Sequence, residues 1–372
     1  MKIVVASDSF KGCLSSEDIG SAARSSILEL HPDWEVVPVQ VADGGEGTVD
    51  AVVSGCGGSK IGIEVCDPLM RRIRASYGYV PDRRLAVIEM SAASGLSLLS
   101  KEERNPAVAN TFGTGQMILD AVGRGCRDIL MGIGGSATND GGLGMLCALG
   151  FRFLDKDGNE LPGTGESLGK IVSVDAGNVP EAVLETRFRV ACDVDTPFCG
   201  RNGAAYVFAP QKGADAEMVR TLDEAMCSFA GLVLSDYGID LRITPGTGAA
   251  GGLGAALLVF LKAELLHGIE MILDAIGFDS IIEGADLIIT GEGSIDSQTL
   301  KGKTPFGVLK AARKKGIPVV ALCGKCSDRD LLMSAGFTDI RVISPADMPL
   351  EEAMKPETAS GNVRMAVSEI IS

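Results

Sequence analysis

The amino-acid sequence predicts an α/β protein in which both ends of the chain form one domain and the middle forms a second. Three observations support this prediction. Two short apolar segments near the start and three near the end alternate with helical patterns. The middle instead contains closely spaced strand patterns joined by short turns. The 372 residues, 46% of them hydrophobic, suffice for the cores of two domains.

The terminal segments predict one parallel sheet. KIVVAS at 2–7 is the first strand, and Ser15-Ser16-Glu17-Asp18 offers the N-cap and acidic first turn of a helix that continues to about Leu30. EVVPVQVA at 35–42 is the second strand. Three further strands follow near the end of the chain, ADLIITG at 285–291, PVVALCG at 318–324 and IRVIS at 340–344. Apolar strands alternating with helices such as FGVLKAARKKG are typical of a parallel sheet covered on both faces.

The middle of the chain differs in kind. KIGIEVCD, IRASYGYV and RLAVIEM follow one another with short turns, as in a β-meander, and RFRVACD at 187–193 is another strand. The simplest organisation is a discontinuous flavodoxin-like domain over residues 1–65 and 281–372. A mixed α/β domain over residues 66–280 interrupts it.

Charge and composition restrict the possible partners. The 34 basic and 49 acidic residues give a net charge of −15, which repels nucleic acids and anionic membrane surfaces. No apolar run approaches the ~18 residues of a membrane span, and MKIVVASDSFKG turns polar too early for a signal peptide. The ten scattered cysteines suit a reducing compartment. We therefore predict a cytoplasmic protein that binds neither nucleic acid nor membrane.

The cysteine and histidine positions argue against zinc and against a histidine-based triad. Cys323 and Cys326 have the spacing of a redox pair or half of a zinc site. A zinc site needs two more ligands, and the only histidines, His31 and His267, are not spaced to provide them. We expect the cysteine pair to be structural.

A glycine-rich stretch, GIGGSATNDGGLGM at 132–145, is the first candidate binding motif. It follows the apolar strand RDILM and runs into LCALG, which reads as a helix. A strand, a glycine turn and a helix start bring backbone N–H groups up to an anion, so a phosphate is the expected ligand. Residues 132–137 also fit the loosest dinucleotide fingerprint, G-x-G-x-x-A, whereas no Walker A sequence occurs.

Polar residues also follow several predicted strands. They are Asp8 and Lys11 after the first strand, Asp43 and Glu46 after the second, Asp193 and Asp195 after RFRVAC, and Glu292 and Asp296 after LIIT. Ligands of open α/β sheets bind beyond the carboxyl ends of the strands. Such loops suit a magnesium-bound polyphosphate and a small polar substrate. Alternatively, the Asp43 loop is only a turn that caps a helix at 46–55, and Asp8 caps a loop.

Several segments together closely resemble the type I glycerate kinase family, in order and across almost the whole chain. They are MKIVVASDSFKG, VADGGEGTVDA, GIGGSATNDGGLGM, RVACDVDTPFCGRNGA, APQKGA, GTGAAGGLGAAL and GEGSIDSQTLKGKTPFGV. The resemblance implies ATP-dependent phosphorylation of D-glycerate, most often to 2-phosphoglycerate and ADP. It also implies a flavodoxin-like domain interrupted by a second α/β domain.

The chain departs from the family pattern at four of these positions. The family's opening motif usually reads APDS[FY]K with an acidic residue next, whereas this chain has Ser7 in place of the proline and Gly12 in place of the acidic residue. Gln116 and Ser294 stand where relatives often have glutamate and arginine. Without an arginine at 294, a contact to phosphate or carboxylate is altered. Substrate affinity is therefore the property that this departure affects.

Phosphoryl transfer within this resemblance suggests residue roles. The predicted phosphate ligands are Gly134, Gly135, Ser136, Thr138 and Asn139. The predicted Mg²⁺ ligands, direct or through water, are Asp140, Glu292 and Asp296. Candidates to neutralise the transferring group are Lys11, Lys212 and Lys303, each of which has a solvated surface role as its alternative. Candidate substrate contacts are Asp43 and Glu46, with Arg71, Arg72 or Arg104 for the glycerate carboxylate.

The general base is predicted to be Asp193, with Asp8 as the second choice, since a rigid sheet aims both side chains. A structural role for Asp193 is the alternative. Two other function classes stay open. An NAD-dependent hydroxy-acid dehydrogenase would explain the glycine turn, but neither histidine lies in a polar cluster to serve as its base. A non-catalytic organic-acid-binding protein could share the fold.

Overall fold

The computed structural model describes residues 1–372. The chain divides into two compact units, one made of residues 1–57 and 267–372 and the other of residues 58–266. The predicted fold class, a discontinuous parallel-sheet domain interrupted by a second α/β domain, is confirmed. No helix combines the length and the apolar character needed to cross a membrane.

Thirteen strands form the sheets of the two units. They are β1 (Lys2–Ser7), β2 (Glu35–Pro38), β3 (Ser59–Cys66), β4 (Arg72–Val80), β5 (Leu85–Glu89), β6 (Asp128–Gly132), β7 (Arg152–Leu154), β8 (Ser173–Asp175), β9 (Arg187–Ala191), β10 (Glu264–Leu266), β11 (Leu287–Ile295), β12 (Val319–Cys326) and β13 (Asp339–Val342).

Fifteen α-helices accompany the strands. They are α1 (Ser16–Leu30), α2 (Thr48–Cys56), α3 (Ser91–Ser94), α4 (Phe112–Gly123), α5 (Leu143–Ala148), α6 (Glu181–Leu184), α7 (Ala204–Phe208), α8 (Ala216–Tyr237), α9 (Ala249–Phe260), α10 (Gly268–Ala275), α11 (Phe278–Ile281), α12 (Thr304–Arg313), α13 (Arg329–Ala335), α14 (Leu350–Ala353) and α15 (Pro356–Ile371). Five 3₁₀ turns complete the chain, at Pro81–Arg83, Leu96–Leu98, Gly165–Lys170, Pro210–Lys212 and Ser297–Lys301.

The first unit contains a five-stranded parallel sheet in the order β13-β12-β11-β1-β2. Counted within the unit, this is the 2-1-3-4-5 order of flavodoxin-like sheets. The central strand β1 pairs with β2 on one side and with β11 on the other, so Ile3 lies opposite both Val36 and Leu287. The strand order reverses between β1 and β11, and the carboxyl ends of these strands are where such sheets bind ligands.

Helix α1 begins as its sequence predicts. Ser15 and Asp18 form a capping box, in which each side chain accepts a hydrogen bond from the backbone N–H of the other. The helix buries Ile19 and Ile27 in an apolar cluster that also contains Val363 of α15. Because this cluster joins the first and last helices of the chain, burial of apolar surface holds the two termini in one core.

The boundaries between the units differ from the predicted ones for a structural reason. Strand β3 pairs antiparallel with β4 along its whole length, so residues 59–65 lie in the second unit. Helix α10 packs against α2 and α12, so residues 268–280 lie in the first. The apolar pattern of a segment does not show which strand it pairs with or which helices it packs against.

Two strands also differ in length from their predictions. Strand β2 ends at Pro38 instead of continuing to residue 42. Strand β11 continues to Ile295, through the polar motif expected to be a loop. There Gly291 pairs with Leu322 and Ser294 with Lys325 of β12, so hydrogen bonding to a long neighbour extends the strand. Glu292 therefore stands on a strand and not on a free loop.

The second unit contains a mixed six-stranded sheet in the order β10-β9-β6-β5-β4-β3. Strands β3, β4 and β5 form the expected antiparallel meander, and β5, β6, β9 and β10 run parallel. A small hairpin of β7 and β8 accompanies it. Phe153, Phe229 and Phe260 meet in edge and stacked contacts within its core.

Candidate active site

Asp8 occupies the switch point of the first unit, directly after β1. Its backbone N–H donates to the carbonyl of Gly291 at 3.0 Å, which fixes it beside β11. The carboxylate accepts the N–H of Ser9 at 2.7 Å through Oδ1 and the hydroxyl of Thr304 at 3.1 Å through Oδ2. Thr304 is the first residue of α12. Three elements therefore hold one carboxylate in a single orientation.

The surroundings of Asp8 adjust its acidity. Burial, followed by the negative charge of nearby Asp43, raises the pKa of Asp8 from 3.8 to about 7. The hydrogen bonds from Ser9 and Thr304 and the charge of Lys11 act in the opposite direction. A carboxylate with a pKa near the working pH is both available and basic enough to accept a proton from a hydroxyl.

Glu292 and Lys303 form an ion pair in the same unit. Lys303 Nζ lies 2.8 Å from Glu292 Oε1. The other oxygen, Oε2, is buried and has no hydrogen-bond partner in the protein. Burial raises the pKa of Glu292, against the charge of Lys303. A buried carboxylate oxygen without a partner is costly, so it marks a position where a ligand or cation would be stabilised.

A cavity of about 310 Å³ opens beside Asp8. Its polar lining includes Asp8, Lys11, Gln40 and Glu46. A polar pocket with a carboxylate of raised pKa on its wall suits a small hydroxylated substrate. The structure thus brings three residues that the sequence singled out, Asp8, Lys11 and Glu46, to one pocket.

Asp43 and Asp296 have local hydrogen bonds. Asp43 Oδ1 accepts the backbone N–H of Gly45 at 3.2 Å, and its charge acts on both Asp8 and Glu292. Asp296 Oδ1 accepts the N–H of Gln298 at 2.8 Å and caps the 3₁₀ turn at Ser297–Lys301. Asp43 therefore contributes to the electrostatics of the Asp8 pocket, whereas Asp296 has a capping role.

The glycine turn lies in the second unit, between β6 and α5. Gly134 and Gly135 are exposed, and Ser136 is buried. Thr138 and Asn139 are fully buried, and the oxygens Thr138 Oγ1 and Asn139 Oδ1 have no hydrogen-bond partner. Only the first part of the predicted phosphate cradle is open to a ligand from solvent.

Asp140 has a different environment from the one its predicted metal-binding role requires. It is fully buried, and its carboxylate accepts the N–H of Gly142 through Oδ1. Oδ2 accepts the N–H groups of Thr111 and Gly144 and the hydroxyl of Thr111, at 2.7–3.1 Å. Four donors of its own unit fill both oxygens. We therefore assign Asp140 to holding the loop and the start of α5, in place of metal binding.

Lys212 is likewise buried and not exposed to a phosphate. Its Nζ donates to Ser136 Oγ at 2.6 Å and to the carbonyl of Thr138 at 2.7 Å. Burial lowers the pKa of Lys212 to about 7, with the charge of Asp140 acting in the opposite direction. These contacts anchor the glycine turn, so Lys212 shapes the loop where the sequence suggested charge neutralisation.

A second glycine-rich segment, GTGAAGGLGAAL at 246–257, packs against the glycine turn at 132–145. Gly251 has φ +67°, and its carbonyl accepts the N–H of Gly141 at 3.0 Å. A Cβ at this position would lie only 2.0 Å from the carbonyl oxygen of Thr138. The close approach of two backbones requires glycine here.

We expect Gly251→Ala to destabilise the protein by at least about 2 kcal/mol, because the methyl group meets backbone and the left-handed conformation disfavours alanine. Gly231→Ala is the control, since an added Cβ in the middle of α8 has no neighbour within 4 Å. That change should stabilise the helix by about 0.5–1 kcal/mol. Urea unfolding followed by circular dichroism compares the two; equal midpoints would contradict the proposed close packing.

The predicted arginines and Asp193 also lie in the second unit. Arg71 is exposed and bonded to Asp67 at 2.6 Å and to Glu103 at 2.5 Å. Arg104 is partly buried, and its Nε has no partner. Asp193 is exposed, just beyond β9. Arg104 Nε therefore has a donor available for a carboxylate, whereas Arg71 already pairs with two carboxylates. Asp193 is exposed, unlike the buried Asp8.

Sequence reasoning missed Thr304 and Thr111, whose hydroxyls hold the two important aspartates. A signal for Thr304 existed, because Lys303-Thr304-Pro305 has the proline of a helix start. Thr111 had none, since it lies far from Asp140 in sequence. No group of three or more His, Cys, Asp or Glu side chains is arranged to hold a metal ion.

The chain is similar to known proteins over most of its length. The model of the family described as "Glycerate kinase family" matches residues 3–372. A glycerate kinase of Bacillus subtilis is 44% identical over 95% of this chain and 93% of its own. A glycerate 2-kinase of Escherichia coli is 44% identical over 88% and 86%. The crystal structure of a putative glycerate kinase 2 from Salmonella typhimurium LT2 superimposes with a TM-score of 0.89 at 41% identity, covering 100% of this chain and 97% of its own.

Proposed function

Because the chain belongs to the glycerate kinase family, we propose that it transfers the γ-phosphoryl group of ATP to the 2-hydroxyl of D-glycerate. The products are 2-phosphoglycerate and ADP. The observation that carries the reaction chemistry is Asp8, a carboxylate with a raised pKa on the wall of a small polar pocket. None of the three relatives described above is named a dehydrogenase.

In this proposal Asp8 accepts the proton of the attacking hydroxyl. Ser9 and Thr304 hold its carboxylate, so the free lone pairs point in a fixed direction before the substrate binds. The hydroxyl oxygen then attacks the γ-phosphorus in line with the leaving ADP oxygen. Asp8 must be ionised to act, so kcat/KM should rise with pH through a value of about 7.

Lys11 and Lys303 supply positive charge to the transferring group. Lys11 lines the Asp8 pocket, and Lys303 is held by Glu292. The unpartnered Oε2 of Glu292 would serve as one protein ligand of Mg²⁺, and phosphate oxygens and water would supply the other ligands. When bound, Mg²⁺ neutralises charge on the phosphates. In the second unit, the exposed turn at Gly134 and Gly135 stays a predicted phosphate-binding segment. Arg104 stays a predicted partner of the substrate carboxylate.

The proposed setting is the cytoplasm. None of the ten cysteines forms a disulfide bond, a state that a reducing compartment would maintain. The net charge of −15 favours small-molecule partners over nucleic acid.

The function is tested with the purified protein, D-glycerate, ATP and Mg²⁺. ADP formation is followed while NMR identifies the phosphorylated product. Formation of 2-phosphoglycerate supports the proposal, and 3-phosphoglycerate would change the position of attack. No turnover of D-glycerate or of related hydroxy acids by folded protein would favour a binding protein instead.

We expect Glu292→Gln to raise the Mg²⁺ concentration for half-maximal activity at least tenfold, because the amide keeps the contact to Lys303 but loses the charge that attracts the cation. The measurement is a Mg²⁺ titration of turnover at saturating ATP. Glu283→Gln is the control, since Glu283 also pairs with a lysine, Lys315, but is exposed and does not line the Asp8 pocket. An unchanged titration in Glu292→Gln would remove it from metal binding.

A further inference from the structure

The first unit has a second, larger cavity, most of whose lining residues have no role in the proposed chemistry. Its volume is about 610 Å³. It lies beyond the carboxyl ends of β12 and β13, and the segments that follow β1 and β13 close its sides. This is the edge of a parallel sheet where ligands bind, and the volume falls within the usual range of small-molecule pockets.

The walls of this cavity are largely apolar. Three of its residues are large hydrophobic side chains with high exposure, Leu350 at 73%, Val342 at 47% and Met354 at 40%. Met348 and Ile343 complete the same wall. Exposed apolar side chains that converge on one pocket mark a surface that an apolar, flat or bulky group would cover.

The polar end of the cavity coincides with the proposed reaction site. Ser9 and Lys11 line both this cavity and the pocket of Asp8. Glu292, whose Oε2 is buried without a partner, lines the larger cavity. A ligand with an apolar end among Val342, Leu350 and Met354 would therefore extend its other end toward a lysine, a carboxylate and Asp8.

We propose that this cavity binds the nucleoside of ATP, with the purine against the apolar wall and the polyphosphate directed toward Lys11 and Glu292. The inference rests on the proposed kinase function. It assigns the base-binding role to segment 342–354, which carries no glycine-rich signature. The continuity of the cavity with the phosphoryl-transfer groups favours the nucleoside as its occupant. A ligand that is apolar at one end and anionic at the other matches both the apolar wall and Lys11.

Leu350→Asp tests the apolar wall. Leu350 is the exposed first residue of α14, so an aspartate there is compatible with folding. We expect at least a tenfold rise in the dissociation constant of ADP and in the KM for ATP, with kcat and the KM for glycerate nearly unchanged. Inhibition by inorganic tripolyphosphate should not change, since it lacks a base. Leu331→Asp is the matched control, an exposed leucine of the short helix α13 that does not line the cavity.

Methionine NMR gives a readout independent of activity. In protein labelled at the methionine methyl groups, ADP should shift the signals of Met348 and Met354, and leave that of exposed Met365 unshifted. If ADP shifts the signals of Met348 and Met354, and the Leu350→Asp variant binds ADP more weakly, the site is supported even if glycerate is not the acceptor. The site would be overturned if the protein turned over glycerate while ADP left the signals of Met348 and Met354 unshifted and the Leu350→Asp variant bound ADP normally. The kinase function would then still stand. Failure of ADP to bind the unmodified protein would also overturn it.

Discussion

Replacement of Asp8 by asparagine is expected to lower kcat by about 10²- to 10⁴-fold, the usual contribution of a general base. Asparagine keeps an oxygen for the Ser9 N–H and nearly the same volume, so the pocket should retain its shape. The KM for glycerate should change little, and the rise of activity with pH through about 7 should disappear. Steady-state kinetics across pH 5–9, chosen to span about two units on each side of that pKa, measure all three.

Asp33→Asn is a suitable control, because Asp33 is an exposed aspartate of the same unit. The corresponding change in the second unit, Asp193→Asn, decides between the two predicted bases. A large loss of kcat in Asp193→Asn with near-normal turnover in Asp8→Asn would reverse the assignment.

The Asp8→Asn substitution should also stabilise the first unit against unfolding at high pH. The pKa of Asp8 is raised in the folded protein, from 3.8 to about 7, so between these values the folded state binds more protons than the unfolded state. Stability contributed by this group is therefore lost as pH rises from about 4 to 7. Above pH 7 the buried charge costs at most about 4 kcal/mol, which asparagine removes. Fluorescence of Trp34, the single tryptophan and a residue of this unit, follows its unfolding.

Asp140→Ala is expected to cost about 3–5 kcal/mol of stability, or to prevent folding of the second unit. The change leaves the N–H groups of Thr111, Gly142 and Gly144 and the Thr111 hydroxyl without their acceptor in a fully buried site. Buried donors without partners carry the full cost of desolvation. Urea unfolding followed by circular dichroism measures the loss.

Asp155→Ala provides a matched comparison within the same unit. Asp155 also accepts backbone N–H groups, from Asp157 and Asn159, but it is only partly buried and these hydrogen bonds are exposed to water. Water can replace the lost acceptor there, so the effect should be much smaller. If Asp140→Ala were as mild as Asp155→Ala and abolished Mg²⁺-dependent activity, metal binding would again become the better explanation for Asp140.

The fold was largely predictable because local patterns and tertiary packing agree at the two ends of the chain. The Ser15 capping box and the apolar strand at 2–7 are recognisable from adjacent residues alone. The continuation of β11 through Glu292 was not recognisable, since its cause is pairing with β12. Strand length there depends on pairing with residues 31 positions further along the chain, as between Ser294 and Lys325, which periodicity does not report.

The site was predictable at the level of loops and less so at the level of roles. Asp8, Lys11 and Glu46 follow strands and do meet at one pocket. Asp140 and Lys212 look equally catalytic in sequence, but burial and hydrogen bonds give them structural tasks. A sequence shows which side chains can ionise; only packing decides which of them face solvent.

The discontinuous sheet has a consequence for synthesis on the ribosome. The chain emerges with β1 first, yet one edge of β1 has no neighbour until β11, beginning at Leu287, has been made. The inserted unit, residues 58–266, is complete before then. During that interval β1 and β2 expose unpaired backbone and apolar side chains, the features that promote aggregation of nascent chains. A chaperone that holds the first sixty or so residues would therefore matter more for yield than one that acts on the insert.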